Sequence, residues 1–231
     1  MFFDPLYLIL IAPAMLLALY AQIKVKSAFS RWVQVPVRSG VTGAEAAAIM
    51  LRDAGLTDVG IEESHGLLSD HYDPKAKMLR LSRDVFHGRT VASVGVACHE
   101  AGHAVQHAMN YAPLAARTAI VPLASIGSWL SWPMIMLGMV LQWANLAIAG
   151  VVAFAAIVVF QLVTLPVEFN ASRRAKERLL GLGLLRSEEE RAGVSAVLDA
   201  AAMTYVAATV TALAQLLYFV IRLGLLGGRD D

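Results

Sequence analysis

The chain has 231 residues, of which 58% are hydrophobic, and its mean hydropathy is +0.60. This apolar fraction exceeds the about 45–50% that is typical of soluble domains, so the composition excludes an ordinary soluble globular protein. The formal net charge of +1 argues against a nucleic-acid-binding protein, which would carry a strongly basic surface.

Four stretches of the chain contain no Asp, Glu, Lys or Arg and have 18 to 24 residues each. About 20 apolar residues are needed to cross a hydrocarbon core. The first stretch follows Asp4 rather than a basic cluster and has no convincing cleavage site before Lys24, so we interpret it as an uncleaved anchor. We therefore predict a mainly α-helical integral membrane protein with about four transmembrane helices. The stretches are residues 5–23, 119–142, 145–167 and 204–221.

Basic residues concentrate in two regions between these stretches. Residues 24–117 contain 11 of the 19 Lys and Arg residues, and residues 168–203 contain six. Because Lys and Arg favour the cytoplasmic side, we predict that both regions are cytoplasmic and that the hairpin turning at Trp143-Ala144 reaches the other side. The predicted parts are an anchor (1–23), a cytoplasmic region (24–118), a membrane hairpin (119–167), a cytoplasmic helical segment (168–203) and a C-terminal membrane helix with its tail (204–231).

The first cytoplasmic region has the pattern of a small α+β unit. Thr42-Gly43-Ala44-Glu45 has the spacing of a capping box and predicts a helix that Gly55 ends. Residues 59–61 predict a short strand and residues 64–74 a loop. Residues 75–81 alternate again and predict an edge strand, to which an extended substrate could add as a further strand. A two-stranded ribbon that only packs this region is an equally good interpretation.

Residues 90–109 predict one helix that contains His99-Glu100-Ala101-Gly102-His103. Residues four apart lie on one helix face, so the two imidazoles can reach the same metal ion. Glu100 lies beside them, where its carboxylate can take a proton from water without binding the metal. This pattern is typical of zinc hydrolases. A catalytic zinc usually takes three protein ligands, so one ligand must come from elsewhere.

Three residues are candidates for that ligand. His107 lies about 12 Å from His99 along an unbroken helix, so it cannot share a zinc ion with both histidines, and we expect a hydrogen-bonding or packed imidazole. Cys98 points about 100° away from His99, and we expect a small buried apolar residue. Glu168 follows Pro166 where the membrane hairpin returns to the same face, which makes it the better candidate. An interfacial charge without a metal is the alternative for Glu168.

Four segments resemble the YugP-type bacterial membrane zinc metallopeptidases, and the resemblance covers almost the full chain. It implies a neutral zinc metallopeptidase of the bacterial cytoplasmic membrane, with Zn²⁺ at His99 and His103, Glu100 as the base and Glu168 as the third ligand. It also implies a protein or peptide substrate and a lipid bilayer as partners. The segments are Asp70-His71-Tyr72-Asp73-Pro74, Leu79-Arg80-Leu81-Ser82, residues 99–107 (HEAGHAVQH) and residues 166–172 (PVEFNAS).

The chain is more distantly similar to the membrane gluzincins of the HtpX and CAAX-processing types, in which a Glu-x-x-x-Asp motif follows the membrane hairpin. This sequence has Ser172 where that motif has Asp. Asn170, Asp70 or Asp73 could then supply the group that orients a zinc-bound histidine. The segment 70–73 could instead form an Asx-type turn with the following proline.

The predicted function is a membrane zinc metalloprotease that hydrolyses peptide bonds of membrane-associated or unfolded proteins at the cytoplasmic surface. Hydrolysis also needs a donor to the tetrahedral oxyanion, and His71, Tyr72, Tyr205 and the cytoplasmic arginines are candidates. A non-catalytic zinc-binding adaptor in protein quality control is the alternative. Structural zinc sites are usually closed by four ligands rich in Cys, and this chain has one Cys. The sequence leaves the oligomeric state open.

Overall fold

The computed structural model describes residues 4–66 and 69–225. The helices are α1 (Pro5–Trp32), α2 (Gly43–Asp53), α3 (Arg83–His87), α4 (Val91–Ala108), α5 (Ala112–Val140), α6 (Ala144–Gly181) and α7 (Glu188–Arg222). The strands are β1 (Gly60–Ser64), β2 (His71–Asp73) and β3 (Met78–Ser82). The protein is therefore mainly α-helical with a small sheet, as predicted. Three pieces of the predicted organisation lie outside the described residues. They are residues 1–3 of the anchor, residues 67–68 of the loop and residues 226–231 of the C-terminal part.

Four helices of the described chain, α1, α5, α6 and α7, are long and apolar enough to cross a membrane. This agrees with the predicted number of spans. Two of them are much longer than the about 20 residues that a bilayer requires: α6 has 38 residues and α7 has 35. The basic segment after Pro166 therefore continues α6 without a break, and the helix that begins after Ser187 continues into the last apolar stretch.

The chain divides into two compact units. Unit 1 comprises Met1–Tyr20, Ala115–Leu165 and Tyr205–Asp231, and unit 2 comprises Ala21–Leu114 and Pro166–Thr204. Within unit 1, α5 and α6 approach closely at glycines. A Cβ atom added to Gly127 would lie 2.4 Å from the carbonyl oxygen of Ala153, and one added to Gly138 would lie 2.4 Å from the backbone nitrogen of Ala147. Small residues thus allow these two helices to pack closely.

The core of unit 2 forms around α4. Both ends of this helix are as predicted, because Thr90 caps it by accepting the N–H of Ser93 and Met109 follows its last turn. Helix α2 packs beside it and begins with the predicted capping box, in which the Thr42 and Glu45 side chains each accept the other's backbone N–H. The buried residues that α4 contributes to this core include Val91, Val94, Ala97, Ala101, Ala104 and Val105.

The sheet of unit 2 differs from its prediction in strand order and length. The order is β1-β3-β2, with β1 parallel and β2 antiparallel to β3. The predicted edge strand is therefore the central strand, and it begins at Met78 instead of Lys75. Because both of its edges are already paired, no substrate strand can add to β3. The alternative of a two-stranded ribbon is wrong for the same reason, since the sheet has three strands.

The turn before β3 explains this error. Asp73 accepts the backbone N–H groups of Lys75 and Ala76 at 2.9 and 3.2 Å, which is the predicted Asx-type turn. Lys77 then adopts a left-handed conformation with φ of 50°. The alternating residue pattern that starts at Lys75 therefore lies partly in the turn and not wholly in the strand. The predicted loop, in contrast, contains β2, a strand of three residues that is too short to show a clear period.

The start of α7 is joined to the segment after α1. The buried carboxylate of Glu190 accepts the backbone N–H groups of Arg38, Arg186 and Ser187, and the Ser187 hydroxyl accepts the N–H of Glu190. Only 2% of Glu190 is exposed, and these bonds satisfy a charge that would otherwise be costly to bury. The bond from Arg38 to Glu190 thus joins the start of α7 to the segment after α1 within unit 2.

Candidate metal centre

Helix α4 and the second half of α6 bring His99, His103 and Glu168 together within unit 2. The Nε2 atoms of His99 and His103 lie 3.2 and 3.6 Å from the same carboxylate oxygen, Oε2 of Glu168. One ligand atom from each residue lies within 4.8 Å of the other two. Zinc bonds of about 2.0–2.1 Å in a tetrahedron separate neighbouring ligand atoms by about 3.3 Å. These three residues therefore fit a single zinc ion.

Burial strengthens this fit. The side chains of His99, His103 and Glu168 are 13%, 11% and 3% exposed. A buried carboxylate is stable only with cationic or hydrogen-bonding partners. A divalent cation between these three ligand atoms meets that requirement.

His103 is oriented by Gln106, one turn further along α4. Gln106 is fully buried, and its amide nitrogen donates to the carbonyl oxygen of Val167 at 2.8 Å and to Oδ1 of Asn170 at 3.0 Å. Its carbonyl oxygen therefore faces Nδ1 of His103, 3.0 Å away. Because an amide oxygen only accepts, Nδ1 carries a proton, and Nε2 is the ring nitrogen that faces Glu168.

His99 is oriented by Ser172. The Ser172 hydroxyl lies 3.1 Å from Nδ1 of His99, so its oxygen can hold that nitrogen in the protonated form while Nε2 faces Glu168. Ser172 itself thus occupies the place for which Asn170, Asp70 and Asp73 were the candidates.

Those three candidates have other partners. Asp70 accepts the backbone N–H and the hydroxyl of Ser82, and Asp73 pairs with Arg80. Asn170 accepts from Gln106 and from Arg174. Asn170 therefore supports His103 at one remove, through Gln106, and neither aspartate contacts a histidine of the metal group.

Gly102 allows α6 to approach α4 closely enough to supply Glu168. A Cβ atom added to Gly102 would lie 2.8 Å from the carbonyl oxygen of Ala171 and 3.3 Å from its Cα atom. Both atoms belong to the backbone, which cannot move aside as a flexible side chain can. Ala171 lies between Glu168 and Ser172, so this contact sets the distance of both residues from the histidines.

Glu100 lies next to His99 on α4 and keeps some exposure to solvent. Desolvation raises the pKa of its carboxyl; His103 and His99 oppose this shift, and Glu168 and Asp70 reinforce it. For His103, burial lowers the pKa, but its bonds to Glu168 and Gln106 and the charge of Glu100 outweigh burial and raise it. The site thus combines a desolvated carboxyl group with two closely held imidazoles.

The remaining predicted residues lie outside the three-residue group. The Tyr72 hydroxyl lies 2.9 Å from Nδ1 of His107, so His107 is hydrogen-bonded as expected. His71 is exposed and contacts the carbonyl oxygen of Ser69. Cys98 is buried, and burial raises the pKa of its thiol, which agrees with an apolar role.

Two functional residues, Gln106 and Ser172, were missed from the sequence. Gln106 follows His103 by three residues, a spacing that lets two side chains on a helix interact. Ser172 follows Glu168 by four residues and was noted only as a departure from an acidic motif. For Ser172 the missing information was its tertiary contact with His99, and for Gln106 it was the pair of bonds to α6 that turns its carbonyl oxygen towards His103.

A membrane protein with two helical histidines, an adjacent glutamate and a distant glutamate has the features of a membrane metallopeptidase. The sequence matches, over residues 7–224, a family described as "putative neutral zinc metallopeptidase". The "putative membrane protease YugP" of Bacillus subtilis (strain 168) is 45% identical over 226 residues, which cover 98% of this chain and 99% of that protein. No solved structure matches the chain significantly. The chain belongs to this family of neutral zinc metallopeptidases.

The Gly102 contact predicts a specific effect of one added methyl group. Gly102→Ala should separate α4 from α6 and weaken zinc binding, because overpacking a close contact costs about 1–3 kcal/mol. The zinc dissociation constant, measured by competition with a chelator, should rise on the order of ten-fold.

Gly95→Ala is the matched control on the same helix. Its Cβ atom would lie 3.5 Å from a methyl group of Val194, which is ordinary van der Waals contact. Zinc affinity should therefore stay at the wild-type value in Gly95→Ala. Equal zinc affinity in both variants would contradict the role given to Gly102.

Proposed function

We propose that this protein is a zinc metalloprotease that hydrolyses peptide bonds at the cytoplasmic surface of the bacterial membrane. Membership of the zinc metallopeptidase family and four helices suited to a membrane support the general class. The observation that carries the proposal is the convergence of His99, His103 and Glu168 on one point, with Glu100 beside it.

The four residues divide into ligands and a base. His99, His103 and Glu168 would hold the metal through two Nε2 atoms and a carboxylate oxygen, a donor set that suits zinc. Zinc bound there would activate a water molecule and polarise the carbonyl group of the scissile bond. Glu100 accepts the proton of the attacking water and donates it to the leaving amine.

The residues around the ligands keep them in the required state. Gln106 holds a proton of His103 on Nδ1, and the Ser172 hydroxyl can accept one from Nδ1 of His99, which leaves both Nε2 atoms available as ligands. His71 and Tyr72 stay candidates for contacts to the substrate or its oxyanion. Desolvation, together with the charges of Asp58 and Asp73, raises the pKa of Tyr72, and its hydroxyl is hydrogen-bonded to His107.

The proposed substrates are membrane-associated or unfolded proteins. Glu168 lies two residues after Pro166, where α6 leaves its apolar part, so a polypeptide held near the bilayer surface would come close to the site. An extended or unfolded segment can also enter the site with its backbone oxygen and nitrogen atoms unpaired, whereas a folded domain cannot enter it. Cleavage of a soluble folded protein, while membrane substrates remain intact, would contradict this assignment.

Zinc content and proteolysis, measured together, test the division of roles. Glu100→Gln should retain zinc and lose at least about 10²-fold in cleavage of a casein-like unfolded protein, because general acid–base catalysis contributes about 10²–10⁴-fold. Glu168→Ala should lose both zinc and cleavage. The measurements are metal analysis and initial cleavage rates of the detergent-purified protein.

Glu177→Ala is the control for the second variant. Glu177 also lies on α6, is 63% exposed and forms an ion pair with Arg173 on the surface of the helix, so zinc and cleavage should be unchanged. If Glu100→Gln cleaves as fast as the wild type, the activity does not come from this site and the proposed function is wrong.

The proposed orientation predicts which positions a membrane-impermeant maleimide reaches in intact cells. Gln142 is exposed in the turn between α5 and α6, and Lys75 is exposed in the turn before β3. Gln142→Cys should be labelled in intact cells, whereas Lys75→Cys should be labelled only after the membrane is opened. Both positions are compared by the fraction of protein labelled.

The wild type provides the background, because its only cysteine, Cys98, is buried and has a raised thiol pKa. It should remain unlabelled under both conditions. Labelling of Lys75→Cys in intact cells would reverse the proposed orientation.

A further inference from the structure

Helix α4 continues beyond the metal ligands with a face that carries Glu100, Ala104, His107 and Ala108. These residues occur at positions i, i+4, i+7 and i+8, so they lie above one another along the helix. A cavity of about 230 Å³ opens on this face, and three of the four residues, Ala104, His107 and Ala108, line it. All the lining residues belong to unit 2.

The cavity has apolar walls. Leu56, Val59 and Ala104 provide aliphatic surface. Tyr72 and His107 also line it, and the Tyr72 hydroxyl and Nδ1 of His107 are hydrogen-bonded to each other at 2.9 Å, so the two residues offer mainly their rings for packing. A neutral, apolar group therefore suits this cavity better than a charged one.

The rim carries no net charge. Lys77 and Asp58 form an ion pair there, with Nζ and Oδ2 2.5 Å apart, and both side chains are more than half exposed. Each charge compensates the other, so neither sign of ligand is selected at the entrance. Selection between ligands therefore depends on the shape and the apolar surface of the cavity interior.

The cavity lies within reach of a peptide bound at the metal site. Along α4, Ala104 is about 6 Å and His107 about 10 Å from Glu100, at 1.5 Å per residue. An extended peptide advances about 3.3 Å per residue. The side chain two or three residues from the scissile bond therefore reaches the cavity.

The segment before and within β2 follows the same face of α4. Asp70 is close enough to act on the carboxyl group of Glu100, and the hydroxyl of Tyr72 contacts His107 two turns further along. This segment thus packs against the helix that carries both the proposed base and the cavity.

We propose that the cavity is a specificity pocket for one large aliphatic or aromatic side chain of the substrate, two or three residues from the cleaved bond. Its volume is below the about 300–1,000 Å³ of sites that enclose a whole small-molecule ligand, and it accommodates a single side chain. This inference rests on the proposed proteolytic function and adds the sequence preference of that activity.

The test uses the full-length protein and quenched-fluorescent peptides that place Gly, Ala, Leu or Phe in turn at each position flanking the cleaved bond. The wild type should prefer Leu or Phe at one position by about ten-fold or more in kcat/KM, since each methylene in an apolar pocket changes this ratio about 10–200-fold. Ala108→Trp, at the exposed edge of the pocket, should lower kcat/KM for the Leu and Phe peptides to the value for the Gly and Ala peptides.

Ala192→Trp is the matched control, because Ala192 is an exposed alanine of α7 that does not line the pocket. It should keep the wild-type preference. Leu56→Ala is the complementary variant. This substitution enlarges the pocket and should shift the preference from Leu towards Phe. It therefore tests the pocket even if Ala108→Trp loses its zinc.

The outcomes separate the pocket from the proteolytic function. Cleavage that depends on Glu100 but shows no preference for Leu or Phe overturns the pocket alone. An equal loss for all peptides in Ala108→Trp, together with an unchanged preference in Leu56→Ala, also overturns it. Cleavage that persists in Glu100→Gln overturns the proposed function and the pocket with it.

Discussion

The close approach of two helix backbones at Gly102 is the constraint on which the candidate metal centre depends. Helix α4 can supply two imidazoles to one ion, but the third ligand must come from α6, and a carboxylate reaches the same point only if the two helices nearly touch. The hydrogen atom that replaces a side chain at Gly102 permits that contact with Ala171. The glycine inside the histidine motif therefore serves the geometry of the site.

Buried polar groups then convert this proximity into a defined arrangement of atoms. Gln106 connects His103 to the backbone of Val167 and to Asn170, so the bond that orients the imidazole also fastens α4 to α6. Such networks are costly if any member is left unsatisfied. Metal binding and helix packing in unit 2 should consequently be coupled, because separating the helices would break ligands and supporting bonds together.

The parts of the site predicted from sequence are those that depend on local geometry or on chain topology. Helical spacing puts His99 and His103 on one face, and the return of the membrane hairpin directs attention to Glu168. Ser172 was not predicted, because its role depends on the rotation of α6 relative to His99. The sheet was predicted poorly for a related reason, since a strand of three residues, β2, has too few positions for a period and its partner is decided by tertiary pairing.

The most direct measurement of the central claim is X-ray absorption spectroscopy of the zinc-loaded, full-length protein. The structure predicts a shell of nitrogen and oxygen atoms at about 2.0–2.1 Å, with the scattering pattern of two imidazoles and no sulfur. His107→Ala should leave this shell unchanged, because His107 lies outside the group of three ligands. A sulfur atom at about 2.3 Å, or a third imidazole that disappears in His107→Ala, would contradict the proposed ligand set.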